Sequence, residues 1–192
     1  MAGASVRITD NRKLEQHILA QLKRLRSSVV TVGVHGTGES GRDEKNRSVT
    51  VKQHVEEGSP PIDMPMLAAI HEFGTDKIPE RSFIRAGVDS AHKTFQRVYD
   101  EGMDAIAAGT GTAQKVANSI GVAATSAIKM TMFDGIAPEL APATKLARIR
   151  STKKGRKLKG DALAKEQAGT FKPLLHTGQL AASIAYEVKG AS

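Results

Sequence analysis

The sequence contains no cysteine and no tryptophan, and its aromatic residues amount to only 4%. Without thiols, a disulfide framework, a Cys-ligated zinc site and thiol catalysis are excluded. The scarcity of aromatics predicts a core of aliphatic side chains and alanine, for which a hydrophobic content of 40% suffices. No apolar run approaches the ~20 residues of a membrane span. The opening "MAGASVRITDNRKLEQ" lacks the basic-then-apolar order of a secretory signal. These absences predict a soluble product with no membrane partner, and the lack of cysteine fits assembly in a cytoplasm.

Acidic residues are missing from one particular stretch. Between Leu140 and Gly160 stand Lys145, Arg148, Arg150, Lys153, Lys154, Arg156, Lys157 and Lys159, with no Asp or Glu except beyond its ends. The chain has 28 Lys and Arg against 20 Asp and Glu, so removing these eight leaves the remainder formally neutral. The charge of +8 is therefore that of one basic stretch and not of the whole surface. Three readings stay open for it. It is a solvated loop, a nucleic-acid-binding arm acting through phosphate neutralisation, or a protein-binding arm that orders against an acidic neighbour. Residues 145–159 hold no aromatic for stacking on bases.

Patterns of catalysis are lacking too. His71 and Glu72 begin like a zincin helix, but that motif needs a second His four positions on, and position 75 is Thr. The six histidines (His17, His35, His54, His71, His92 and His176) share no ligand spacing. The stretch "HGTGESG" at 35–41 has glycines but no following Lys and hydroxyl at a helix start, so it is no phosphate-binding loop. There is no GxSxG elbow and no paired acid and base. The residues predict no enzyme, no metal and no cofactor.

What is present is a punctuated series of elements. Leu14, Ile18, Leu22 and Leu25 recur at helical spacing after Asp10, which predicts a helix over 10–26. "VVTVGV" (29–34) and "VTVKQHV" (49–55) read as strands joined by a flexible hairpin loop at 35–48. "SVRI" (5–8) and "SIAYEV" (183–188) read as further strands. A short helix over 64–74 starts near Pro65 and stops at Gly74. "IPERSFIRAG" reads as extended or turn-like, and two helices over 88–108 and 112–132 follow across "GTGT". The segment 137–173 has prolines, the basic run and no clear period, and reads as an inserted arm. The fold class expected is α+β: a small, mostly antiparallel sheet against two or three helices, with long extended loops. Residues 1–136 and 174–192 make one domain and 137–173 the basic insertion.

Two motifs carry a resemblance. "MLAAIHEFGTDKIPERSFIRAG" (66–87) is followed, after "ELAPATKLARIR", by "PLLHTGQLAASIAYEV" (173–188). In that order and spacing they resemble the tail-completion and neck proteins of long-tailed bacteriophages, and the nearest group is the virion-morphogenesis family of Mu-like phages. The match runs through Glu72, Phe73, Gly74, Thr75, Ile78, Pro79, Arg81 and Phe83, then Leu174, Leu175, Thr177, Gly178, Leu180, Ser183 and Ile184. Ser82 departs from the family, which has a second proline there. The resemblance covers about residues 30–35 and 66–188.

It implies a structural virion protein that forms a ring, commonly a hexamer, of tail-completion, tail-terminator or neck type at the head–tail junction. The implied partners are further copies of the chain, the tail tube protein and the head–tail connector or neck proteins. DNA would pass through the lumen without sequence-specific binding. The family has no catalytic residues to carry over. A basic nucleic-acid-binding module acting through 145–159 is the alternative. Physically, Gly74 would stop a helix, Pro79 would hold the chain extended, and Phe83 would anchor it. Thr177 would cap a turn that places Leu180 and Ile184 four positions apart. Glu72 and Arg81 are candidates for an ion pair.

Overall fold

The computed structural model describes residues 11–34, 63–169, 171–175 and 178–191. The strands expected at 5–8 and 49–55, the loop at 35–48 and Thr177 lie outside them. In chain order the elements are α1 (Arg12–Ser27), β1 (Val29–Val34), α2 (Met64–Phe73), α3 (Phe83–Ser90), α4 (His92–Ala107) and α5 (Ala113–Asp134). There follow α6 (Pro142–Ser151), a 3₁₀ turn (Gly155–Lys157), α7 (Gly160–Gln167), α8 (Gln179–Ala182) and β2 (Ile184–Lys189). The fold is α+β. Among the described residues the sheet has two strands, β1 beside β2. They run antiparallel, since Ser27 reaches the Gly190 carbonyl while Thr31 reaches that of Glu187.

The chain divides into two compact units. The first comprises residues 1–31, 93–123 and 187–192, and the second 32–92 and 124–186. In the first, α1 begins at Asn11, whose side chain accepts from Leu14 N at 3.2 Å. The cap is Asn11, and the helix starts two residues past the expected position 10. Farther along α1, His17 Nε2 meets the Gly111 carbonyl at 3.1 Å. The Gln21 side chain is buried and accepts from Ala113 N at 2.9 Å. A polar residue on the apolar face of α1 thus caps the first turn of α5, where backbone N–H groups have no partner within the helix. Ile106, Ala113, Val116 and Ala117 are buried in this unit.

The second unit holds the larger core. Ala68, Phe83, Ile128, Met132, Leu174, Leu180, Ala181 and Ile184 form one buried cluster, and Val32, Val34 and Val88 pack on it. Phe83, at 0% exposure, is the one aromatic among the buried members. Burying a side chain of that size stabilises by about 1.5–3 kcal/mol. Gly87 lets α3 lie directly on α5, because a Cβ there would stand 2.6 Å from the Ile128 Cα.

Several expectations are corrected here. Residues 83–87 are not extended; they open α3, and the single helix expected over 88–108 is two helices separated at Ala91. The break has a local cause. Ser90 Oγ donates to the Gly87 carbonyl at 2.8 Å, and Ala91 N closes a tighter three-residue step onto Val88 O. α8 ends at Ala182, and Ile184 opens β2, within one residue of the strand expected over 183–188. The cap position of α8 belongs to Gly178, at φ +76°, and no side chain caps it.

The segment 137–173 is not structureless either. It contains α6, the 3₁₀ turn and α7, which pack on one another. Pro142 sits at the start of α6, where proline's fixed φ favours a helix and its missing N–H costs nothing. Ile149 is buried, with Gly155 buried against it.

Candidate functional site

The stretch from His71 to Phe83 is built by successive backbone constraints. Asp63 caps α2, its carboxylate accepting from Met66 N at 2.8 Å. Gly74 ends α2 with φ +74°, its N–H bonded to the Ile70 carbonyl. A side chain there would be strained by that φ, and its Cβ would stand 2.7 Å from Glu80 N. Thr75 and Ile78 exchange backbone hydrogen bonds of 2.7 and 3.2 Å, which closes a tight turn. The chain then doubles back, and Arg81 N donates to the His71 carbonyl at 2.7 Å. Pro79 lies on the exposed part of this return.

The return delivers the start of α3 to the end of α2, and Glu72 joins them. Glu72 is only 3% exposed. One carboxylate oxygen accepts from Ser82 Oγ at 2.9 Å and from Arg85 N at 3.1 Å. The other accepts from Ile84 N at 2.9 Å. Ser82, at the cap position of α3, makes no side-chain capping bond of its own. An anion from a neighbouring helix thus serves as the N-cap, where orphan N–H groups and the helix dipole both favour negative charge. Burial opposes ionisation of Glu72, but the bonds from Ile84, Arg85 and Ser82 outweigh it and hold its carboxyl below the usual glutamate range.

The ion pair of Glu72 is with Arg85, not with Arg81 as expected. Arg85 Nε stands 3.1 Å from Glu72 and Nη2 2.6 Å from Glu80, and its guanidinium lies 5.6 Å from the centre of the Phe73 ring. Phe73 itself is 69% exposed. Arg85 was within the sequence motif but carried no signal that set it apart.

Arg81 is turned elsewhere. It is buried, and its guanidinium donates to the carbonyls of Pro138 at 2.8 Å and Glu139 at 3.1 Å. Arg148, on α6, donates likewise to the carbonyls of Lys172 at 2.8 Å and Pro173 at 2.5 Å. One arginine therefore fastens the beginning of the insertion and the other its end. Burial lowers the pKa of Arg148, and the nearby charge of Arg81 lowers it further. His71 is pressed below its ordinary value by burial and then by both guanidinium groups, and its Nδ1 is buried without a partner.

The eight basic residues of the insertion separate accordingly. Arg148 is half-buried and structural. Lys145 is 17% exposed at its side chain and pairs with Glu139 at 3.0 Å. Arg150 and Arg156 are exposed and each donates to the other's carbonyl. Lys153, Lys154, Lys157 and Lys159 are exposed and have no acidic partner among the described residues. No cluster of three or more His, Asp or Glu able to hold a metal occurs among the described residues. None of the described helices is long and apolar enough to cross a membrane. Comparison with known protein families, curated proteins and solved structures gives no match.

Proposed function

We propose that the chain is a structural virion protein of a tailed bacteriophage, a tail-completion, tail-terminator or neck component that forms a ring at the head–tail junction. The observation that carries this reading is the way the two resembling motifs meet. They are separated by the helices and the insertion, yet Phe83 of the first and Leu174, Leu180 and Ile184 of the second share one core. They act as one piece of architecture, and their polar residues serve caps and clamps. The same unit leaves Met66, Phe73, Met130 and Phe133 exposed as apolar area for subunit contacts.

The mechanism on this reading is non-covalent. Repeated heterologous contacts between copies close a ring, which caps the tail tube or joins it to the head connector around passing DNA. Imaging particles made without this protein tests it. Full heads beside finished tails indicate joining, overlong tails indicate a terminator, and normal infectious particles refute the proposal. Deleting 145–159 is not a clean test, because it removes Arg148 and the buried Ile149. Neutralising Lys153, Lys154, Lys157 and Lys159 addresses the charge alone.

The exposure of those four lysines, with Arg150 and Arg156, favours a second reading as a basic nucleic-acid-binding module. It requires DNA affinity that falls steeply with salt, by a log–log slope of about −0.9 per phosphate contacted. Absence of DNA binding at low salt removes it.

A further inference from the structure

We propose that Arg150, Lys153, Lys154, Arg156, Lys157 and Lys159 form a preformed contact surface for the phosphate backbone of duplex DNA, bound without regard to sequence. The inference rests on the nucleic-acid reading above and narrows it to one partner and to six of the eight basic residues. Lys145 and Arg148 stand apart: the first pairs with Glu139, and the second is spent on the carbonyls of Lys172 and Pro173. The six are exposed, and none meets a carboxylate within 4 Å among the described residues.

These cations stand on an ordered turn. Thr152 Oγ1 donates to the Ile149 carbonyl at 3.0 Å and accepts from Gly155 N at 2.9 Å. Gly155 is buried so closely on Ile149 that a Cβ there would overlap the Ile149 carbonyl. Arg150 Nη1 donates to the Arg156 carbonyl at 3.0 Å, and Arg156 Nε donates to the Arg150 carbonyl at 3.2 Å. The reciprocal bonds hold the two arginines beside one another, and each keeps four of its five N–H donors. Like charges crowded on one turn repel, and a dense row of anions relieves them. Duplex DNA carries one charge per ~1.7 Å of its axis. A surface already ordered loses little entropy on meeting a stiff partner. Single-strand binding draws on aromatic stacking, and residues 137–169 contain no Phe, Tyr or Trp. Arg and Lys reach base edges from a helix lying in the major groove. Here five of the six cations follow the end of α6 and precede α7, and 140–160 holds no Asn or Gln to read adenine.

The test is fluorescence anisotropy with the full chain and a labelled mixed-sequence duplex of about 20 base pairs, as salt rises from about 50 to 200 mM. The expected log–log slope is about −3.6 or steeper, which is four or more phosphates at about 0.9 each. The Lys153→Ala, Lys154→Ala double variant should make the slope shallower by about 1.8, whereas Lys145→Gln, in the same basic stretch, should change it by less than about 0.3. A duplex of unrelated sequence should bind with the same slope, and a single strand of equal length should bind more weakly. The substituted lysines are exposed, so circular dichroism should show the double variant folded like the wild type. Absence of duplex binding at low salt removes the nucleic-acid reading and this inference together and leaves the virion reading untouched. Binding that is unchanged in the lysine double variant, that falls equally in Lys145→Gln, or that is tighter for the single strand overturns this surface while the nucleic-acid reading stands. Displacement of the duplex by poly-L-glutamate at equal charge concentration overturns it as well, and assigns the face to an acidic protein.

Discussion

Glu72→Gln is the substitution that bears most directly on how α2 and α3 are joined. Gln keeps the shape of the side chain and removes its charge. If the amide oxygen retains the bonds from Ser82 and Arg85, the amide nitrogen faces the Ile84 N–H, and a buried backbone donor is left without an acceptor. That costs about 1–3 kcal/mol. Loss of negative charge at the α3 N-terminus costs a further ~0.3–1 kcal/mol, and up to about 2 where the site is partly buried. The pair with Arg85 contributes little, because that guanidinium is 56% exposed. The sum is roughly 2–4 kcal/mol, or about 5–15 °C in the melting temperature of a chain this size. Thermal unfolding by circular dichroism measures it. Arg85→Ala, which leaves the cap intact, should lower the midpoint by less than half as much. Equal effects of the two variants would show that the ion pair, and not the cap, joins the helices. An effect of Glu72→Gln within about 0.5 kcal/mol of zero, the range of ordinary surface changes, would refute the reasoning outright.

Further outcomes follow from the same geometry. Glu72 has its pKa lowered on folding, so its contribution is full above the ordinary glutamate value of about 4.3 and is lost as pH falls through the lower folded value. The acid limb of stability should be shallower in Glu72→Gln. His71 is also lowered, so stability should be full above about pH 6.5 and decline as pH drops below it, a slope that His71→Gln should remove. Gly87→Ala should cost about 1–3 kcal/mol in denaturant unfolding, because the added Cβ meets the α5 backbone at Ile128. Arg148→Gln should speed tryptic cleavage within 145–159, while neutralising Lys153 and Lys154 should leave the melting temperature unchanged to within about 0.5 kcal/mol of stability.

Periodicity made α1, β1 and α5 legible, because each presents its apolar residues at one spacing over a sufficient length, while α2 was legible from Pro65 and Gly74 at its ends. It failed where apolar residues are few or where a side chain overrides the pattern. In α6, Ile149 is buried and Leu146 half-buried, and the three charges at Lys145, Arg148 and Arg150 hid them beneath a charge signal. The break at Ala91 depends on Ser90 bonding back to Gly87, which no spacing announces. Of the site, the helix stop at Gly74 and the Phe83 anchor were visible in the sequence. The partners of Glu72 and Arg81 were not. Opposite charges nine positions apart suggest each other, but after the turn at Thr75–Ile78 Glu72 meets the start of α3 and Arg81 the carbonyls of Pro138 and Glu139. A carboxylate capping another helix is a property of tertiary position and leaves no local trace.

The arginine clamps also act where this chain has no covalent means. Arg81 bonds to a carbonyl 57 residues away and Arg148 to one 24 residues away. Each closes a loop whose conformational entropy would otherwise oppose order. In a secreted domain that task falls to disulfides, whose persistence depends on an oxidising compartment. Guanidinium–carbonyl closures are indifferent to redox state and re-form without an isomerase, so the order of the insertion is independent of the redox conditions around it. Their weakness is competition, because dissolved guanidinium ions offer the same donors to the same carbonyls.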